Sequence, residues 1–175
     1  MRHHSHAPPY LSSGFFATLS HMARKIGPQA TALIKQYEGL RLKAYPDPAT
    51  GGKPYTIGYG ATRDAAGKPI VPGTVWTQAE ADAAFTRDIA RFESAVEGMI
   101  DNNATDNAQF GAMVSLAYNV GEQNLRTSTL LRKHNAGDYD GAQAEFARWN
   151  RANGKPMLGL TRRRAAEAEL YGLYR

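Results

Sequence analysis

The chain has 175 residues, of which 42% are hydrophobic and 21% are charged, so it can form one domain with a buried core. It contains no cysteine, which excludes disulfide scaffolds, cysteine nucleophiles and thiolate metal sites. No apolar run approaches the roughly 20 residues that span a bilayer. The formal net charge of +5 is concentrated at the two ends of the chain. Basic ends suggest a polyanionic partner, such as nucleic acid, an anionic membrane or a bacterial wall.

Residues 1–22 do not have the pattern of a folded domain. Four of the five histidines lie there, among prolines and serines: His3, His4, His6 and His21. Serine and glycine interrupt the apolar stretch of this segment, so we do not interpret it as a signal peptide and expect no export signal. No carboxylate stands beside the histidines to complete a metal site. We expect a leader or expression extension, and we predict that the folded domain covers residues 23–175.

The first predicted elements are one helix and a small β lobe. Pro28 stands where a helix can begin, apolar residues follow it at helical spacing, and Gly39 ends the helix. Two strands, Leu42–Tyr45 and Tyr55–Tyr59, flank a turn that is dense in glycine and proline. The β lobe should therefore cover about residues 41–75.

The remaining chain is predicted to be helical. Thr77 and Glu80 form a capping box, and Asp106 can cap a helix that Gly121 closes. Three shorter helices complete the prediction: Ser128 to near Gly137, Asp140 to Trp149, and a last one that Thr161 caps. Residues 76–175 and the first helix thus make a helical lobe, and a cleft between the two lobes is a natural place for a ligand.

Carboxylates are the candidate acid–base groups. The folded part has one histidine, His134, which we interpret as a solvated residue near a helix end. Glu38 closes the first helix, where the negative end of the dipole and partial burial disfavour its ionised form, as a general acid requires. Asp47 lies between two prolines in the next turn, where it should be solvated and ionised. Two such carboxylates suit glycoside hydrolysis, although residues at these positions more often serve only a helix end or a turn.

The residues around the two carboxylates resemble a known family. Glu38–Tyr45, then Asp47, then Thr56 within Tyr55–Gly60 resemble the active-site segment of the phage-type lysozymes, the endolysins of glycoside hydrolase family 24. Glu38 and Asp47 have the spacing of that family. The resemblance covers nearly all of residues 28–175 and continues through further segments: Asn119–Gly121, Ser128–Leu131, Phe146–Trp149, Gly154–Lys155, and Gly159–Arg164 to Glu167.

The resemblance implies an α+β, lysozyme-like fold with a small β-hairpin lobe, a larger helical lobe and an active-site cleft between them. It implies a muramidase that hydrolyses the β-1,4 bond between N-acetylmuramic acid and N-acetylglucosamine in peptidoglycan, with no cofactor and no metal. Glu38 would protonate the glycosidic oxygen, Asp47 would stabilise the oxocarbenium-like transition state or direct water, and Thr56 would help to hold that water. An inverting outcome is the expectation at the level of the family.

The same resemblance bears on partners and location. The enzyme is expected to act as a monomer on peptidoglycan, with no nucleic acid and no stable membrane insertion. It would be made in the cytoplasm and act on the wall after release. A membrane-permeabilising partner would give it access to the wall.

The sequence departs from the family pattern in two places. The family usually has five residues between the Asp and the Thr, whereas eight separate Asp47 from Thr56. A longer hairpin turn is the simplest interpretation, with Thr50 as the rival hydroxyl. Ala61 follows the glycine of the strand motif, where the family often has histidine. A substrate contact missing there would affect specific activity more than reaction type.

Arg162, Arg163 and Arg164 stand at the start of the last predicted helix, where positive charge opposes the dipole. Ion pairing of Arg163 with Glu167 and contact with an anionic wall explain this triplet equally well. Four aromatic residues on helical stripes are predicted to be core rather than sugar platforms: Phe110, Tyr118, Phe146 and Trp149.

Two other activities stay open at this point. A lytic transglycosylase would use one catalytic acid and form an anhydro sugar without water, so that Asp47 would be dispensable. A basic module could instead damage membranes or bind nucleic acid through the charge of the last 25 residues alone. A complete family pattern on a stable domain is hard to reconcile with this last hypothesis.

Overall fold

The computed structural model describes residues 23–48 and 50–175. The leader predicted for residues 1–22, with its four histidines, lies outside the described residues. Within the described part, no helix is both long and apolar enough to cross a membrane.

A two-stranded antiparallel hairpin forms the β lobe. Strand β1 covers Arg41–Pro46 and strand β2 covers Tyr55–Gly58, so both predicted strands are confirmed with small changes at their ends. Tyr45 lies opposite Thr56. Isolated bridges extend the pairing beyond the hairpin, and one of them joins Lys43 to Val75. The additional residues between Asp47 and Thr56, relative to the family pattern, therefore lie in the turn between the strands.

Three long helices begin where the sequence predicts, and the two whose ends were predicted end there as well. Helix α1 covers Pro28–Glu38, α2 covers Gln78–Glu97 and α3 covers Asn107–Val120. The capping boxes at the starts of α2 and α3 are both formed. Gly39 ends α1 with φ +68°, a backbone conformation that favours glycine, and its N–H donates to Lys35 O.

The second half of the helical lobe is built from shorter pieces. They are α4 Glu122–Arg126, α5 Thr129–Asn135, α6 Tyr139–Glu145, a 3-10 helix Phe146–Trp149, a hairpin of β3 Arg151–Ala152 and β4 Lys155–Pro156, and α7 Leu158–Tyr171. Helix α5 is capped by Ser128 as predicted. The helix predicted from Asp140 to Trp149 is in fact α6 followed by the 3-10 turn.

Thr161 is not the N-cap of α7, so that prediction is wrong. The helix begins at Leu158, and Thr161 lies within its first turn, where its hydroxyl donates to Met157 O at 3.0 Å. Asn150 also donates to this hydroxyl at 3.2 Å. The hydroxyl is therefore engaged by backbone and side-chain partners that a local capping rule does not consider.

Helix α3 is the centre of the molecule. It is buried continuously from Ala108 to Ala117, and it packs against α1, α2 and α7. A helix that is apolar on all sides belongs in a core rather than on a surface. Of the four aromatic residues predicted as core, Phe110 and Phe146 are fully buried and confirmed, whereas Tyr118 and Trp149 are half-buried and pack against the core.

His134 is fully buried, so the interpretation as a solvated residue is wrong. Its ring nitrogens lie 2.8 Å from Thr105 Oγ1 and 2.6 Å from Tyr171 Oη. His134 follows Leu130 by one helical turn and shares its buried face, which explains the error. Burial lowers the pKa of His134 to about 4.

Candidate active site

Glu38 is the last residue of α1, and its side chain is 19% exposed. Its Oε1 accepts a hydrogen bond from Arg163 Nη1 at 2.8 Å. This contact was missed by the sequence prediction, since 125 residues separate the two partners along the chain. The guanidinium therefore fixes one oxygen of the carboxyl group through a charge-assisted hydrogen bond.

The turn after β2 closes over Glu38. A Cβ placed on Gly60 would lie 3.6 Å from Glu38 Oε2 and 3.9 Å from Tyr118 Oη. The phenol of Tyr118 donates to Tyr59 O at 2.8 Å, which ties this turn to α3. Gly60 has φ +102° and no side chain, so the backbone can approach the carboxyl group closely. The β lobe and the helical lobe thus meet at Glu38.

Asp47 and Thr56 lie at the same end of the hairpin. Asp47 directly follows β1, and its backbone N–H donates to Gly52 O at 3.0 Å. Thr56 lies opposite Tyr45, two residues before Asp47. The structure therefore places Glu38 just before β1, Asp47 just after it, and Thr56 on the strand that pairs with it.

The rival hydroxyl, Thr50, is part of the turn itself. Its Oγ1 donates to Lys53 O at 3.1 Å and accepts from Gly52 N at 3.2 Å. Both contacts stabilise the longer hairpin turn. Thr50 consequently has a structural function, which leaves Thr56 as the better candidate.

The arginine triplet divides into one exposed and two buried members. Arg162 is exposed, whereas Arg163 and Arg164 are 3% and 1% exposed. Arg163 Nε donates to Glu167 Oε1 at 3.1 Å, so the predicted ion pair is confirmed. Contact with a wall is excluded for the two buried members because solvent hardly reaches them. The sequence indicated this ion pair through the positive charge near a helix start, because such charge opposes the helix dipole and needs a compensating partner.

A cavity of about 460 Å³ lies beside the turn after β2. Gly60, which approaches the Glu38 carboxyl group, and Tyr118 contribute to its wall. Its other lining residues are Thr62, Arg63, Asp88, Arg91 and Phe92. Burial raises the pKa of Asp88. The sequence did not single out these residues, because they come from separate elements that only the fold brings together.

No metal site is evident in the described part of the chain. No three histidine, aspartate or glutamate side chains gather there in a way that could hold an ion.

A carboxyl group at the end of the first helix, set where a β-hairpin lobe meets a helical lobe, defines the lysozyme-like class of glycoside hydrolases. Comparison with known proteins agrees. The phage lysozyme family matches residues 35–167, and the chain belongs to that family. It is accordingly a lysozyme of the endolysin type, which degrades bacterial peptidoglycan.

Individual relatives support this assignment. The endolysin of Acyrthosiphon pisum secondary endosymbiont phage 1 is 44% identical over 150 residues, which is 83% of this chain and 97% of that protein. The endolysin of Bacillus phage B103 is 41% identical over 79% of this chain, but the match spans 51% of that longer relative. Among solved structures, the endolysin from Escherichia coli O157:H7 phage FAHEc1 has a TM-score of 0.77 and 35% identity, covering 87% of this chain and 94% of that one.

Proposed function

We propose that the protein hydrolyses the β-1,4 bond between N-acetylmuramic acid and N-acetylglucosamine, with Glu38 as the proton donor. The observation that carries the proposal is the setting of Glu38. The hydrogen bond to Arg163 occupies Oε1, so Oε2 is left on the side of Gly60, a residue that also lines the cavity beside this turn. Oε2 is therefore the oxygen suited to carry the proton that passes to the leaving sugar.

Asp47 and Thr56 complete the proposed reaction. As the glycosidic bond breaks, the departing oxygen takes the proton from Glu38 and positive charge develops on the sugar ring. Asp47 stabilises this charge and directs a water molecule that the Thr56 hydroxyl helps to hold. The water oxygen bonds to the anomeric carbon and releases its proton to Asp47. The products are two glycan fragments, one with a new reducing end. The shared hairpin end of Asp47 and Thr56 supports this division of roles.

The test is lysis of permeabilised Gram-negative cells by Glu38→Gln, followed as loss of turbidity. We expect a loss of at least about 100-fold, because the variant keeps the shape of the side chain but has no proton to donate. Glu169→Gln, the same change at an exposed position of α7, is the matched control and should lyse like the parent. Undiminished lysis by Glu38→Gln would overturn the assignment.

Mass spectrometry of the released fragments tests the reaction type separately. Hydrolysis leaves a reducing end, and the proposal predicts this product from the parent enzyme. A 1,6-anhydro end would instead identify a lytic transglycosylase and would contradict the role of water.

The proposal extends to access and assembly. Peptidoglycan lies beyond the inner membrane, so a cytoplasmic enzyme would need a membrane-permeabilising partner, and we propose that it then acts as a monomer. Comparing lysis of intact and permeabilised cells tests the first point, and sedimentation of the active enzyme tests the second. Equal lysis of both kinds of cell would contradict the need for a partner.

A further inference from the structure

Two buried guanidinium groups of α7 share one buried carboxylate. Glu167 is fully buried, and its Oε1 accepts hydrogen bonds from Arg163 Nε at 3.1 Å, Arg164 Nη2 at 3.1 Å and Ser115 Oγ at 2.7 Å. Arg164 Nε lies 2.9 Å from Glu167 Oε2, a charge contact without the alignment of a hydrogen bond. Buried charges of this kind need compensation, since each has lost its hydration.

Glu167 and α3 together fix the direction of Arg163. Its guanidinium is planar, with Nε directed to Glu167 and Nη2 to Ser115 O at 3.4 Å. The remaining corner, Nη1, then reaches Glu38 Oε1 at 2.8 Å. Because a planar group held at two corners has little freedom at the third, the contacts with Glu167 and Ser115 determine where Arg163 meets Glu38.

The same cluster determines the charge that Glu38 faces. Arg163 and Arg164 are cations. Burial raises the pKa of Glu167, but the two guanidinium groups and Ser115 favour its ionised form, which compensates one of the cations. Burial lowers the pKa of Arg164 to about 10, which leaves it charged at neutral pH, and Arg164 interacts electrostatically with Glu38. The net charge of the cluster behind Glu38 is therefore one, and it would be two without Glu167.

The other groups near Glu38 add no charge that changes with Glu167. From α3, Tyr118 faces it with a phenol whose pKa is raised by burial, so this group stays neutral. From the turn after β2, Gly60 has no side chain. Tyr37 precedes Glu38 on α1, and Arg163 Cζ lies 5.7 Å from the centre of its ring. Asp47, the proposed second carboxylate, is common to the parent and all variants below, as are the charged residues of the cavity beside Gly60, Arg63, Asp88 and Arg91.

We propose that Glu167 is a positioning residue for Glu38: it directs Arg163 to the carboxyl group and halves the net positive charge behind it. This inference rests on the proposed function, in which Glu38 must be protonated to act. More positive charge favours the ionised form of Glu38, so the enzyme would lose its proton donor at a lower pH. Less positive charge behind Glu38 favours its protonated form, so the enzyme would keep its proton donor to a higher pH.

The experiment compares three variants by the pH dependence of kcat/KM and by NMR titration of the Glu38 carboxyl carbon. Glu167→Gln keeps the shape and removes the negative charge, so the alkaline limb should move to lower pH by on the order of one unit. Arg164→Gln removes a positive charge, so the limb should move to higher pH. The double variant restores the net charge, and its limb should return close to that of the parent.

Glu145→Gln is the matched control. Glu145 is another buried carboxylate, paired with Lys133 at 2.9 Å and with Arg148 at 3.6 Å, but it lies on α6. Its variant should leave the limb in place. A residue that only stabilises the fold would lower the melting temperature of its variants without moving the limb in opposite directions.

Each outcome decides the inference. The inference would be overturned if folded Glu167→Gln and Arg164→Gln had the alkaline limb of kcat/KM and the Glu38 titration of the parent. It would also be overturned if both variants shifted in the same direction. Should Glu167→Gln not fold, Arg164→Gln and the double variant still test the predicted signs. The NMR titration of Glu38 can be measured without enzymatic activity. An unchanged titration would therefore refute the inference about Glu167 even if Glu38→Gln is inactive, as the proposed function requires. Conversely, an active Glu38→Gln would refute the proposed function alone.

Discussion

His134 shows how a single polar side chain can be accommodated in a dry interior. Both ring nitrogens have hydroxyl partners, Thr105 on one side and Tyr171 on the other. A protonated ring would have to donate through both nitrogens while its charge remained buried. The Tyr171 phenol can accept one of these bonds, but among residues 23–48 and 50–175 no compensating carboxylate is in hydrogen-bond contact with the ring. The neutral form is therefore favoured, as its pKa of about 4 indicates.

This histidine should make the fold sensitive to acid. In the unfolded chain His134 binds a proton below about pH 6.5, whereas the folded state resists protonation until about pH 4. Stability is therefore fully present above pH 6.5 and is lost as the pH falls from 6.5 to 4. We expect this group to account for about 2 kcal/mol of the loss between pH 7 and pH 5. Urea denaturation at both pH values measures it.

The control for this effect is His134→Gln. The variant should be less stable than the parent at pH 7, because it fits the two hydroxyl partners less well. The difference in its unfolding free energy between pH 7 and pH 5 should nevertheless be smaller by about 2 kcal/mol. An equal difference in parent and variant would show that other groups cause the acid sensitivity.

The residues of the candidate site differ in how far the sequence can predict them. Glu38, Asp47 and Thr56 lie within one short stretch, and their roles follow from local spacing and family resemblance. Arg163 could not be assigned to Glu38, because 125 residues separate them and only packing of α7 against α1 and α3 brings them together. Its pairing with Glu167, one turn away, could be predicted.

At the level of elements, predictions held wherever a boundary was marked by a local contact. Caps and glycines set the ends of the long helices. Helix α4 and the β3–β4 hairpin were missed, since five and two residues are too short for a helical or strand period to show. The start of α7 was placed too late because Thr161 looked like a cap but contacts Met157 and Asn150 instead.

Gly111 sets the distance between α1 and α3. It lies in the middle of α3, and a Cβ there would be 2.7 Å from Cβ of Ala30 in α1. Alanine normally stabilises a helix relative to glycine. Here we expect Gly111→Ala to lower the unfolding free energy by about 1 to 3 kcal/mol, because two helices must move apart. Since α1 ends at Glu38, the rate of cell lysis should fall as well.

Gly159→Ala is the matched control for this change. Gly159 is also helical, in α7, but nothing lies within 4 Å of an added Cβ. This variant should be as stable as the parent or more stable by up to about 1 kcal/mol, with unchanged lysis. Urea denaturation and the turbidity assay compare the two variants. Equal stability of both would contradict the close approach of α1 and α3.

For the whole molecule, burial and ion pairing reduce the positive charge that the C-terminal residues 151–175 present to solvent. Two of the six basic groups in residues 151–175 belong to the buried cluster with Glu167, and Arg175 pairs with Asp140 at 2.8 Å. The other three are exposed: Arg151, Lys155 and Arg162. The positive charge available to a wall is thus smaller than the composition indicates.

The basic residues at the start of the described chain are also engaged. Arg24 pairs with Glu97 at 3.0 Å, and Lys25 pairs with Glu93 at 2.8 Å. Both carboxylates belong to α2. These pairs attach the start of the domain to the helical lobe, so we assign them to structure rather than to substrate attraction.

The exposed cations near the β3–β4 hairpin should therefore carry the attraction to an anionic wall. Lys155→Gln combined with Arg162→Gln should raise the half-saturating wall concentration about two- to fivefold at low salt, with no loss of stability. The difference should disappear above about 0.3 M salt, where exposed charges are screened. Arg126→Gln combined with Arg132→Gln removes the same charge from other exposed positions and should have a smaller effect. Equal effects of the two pairs would show that net charge alone attracts the enzyme, whatever its location.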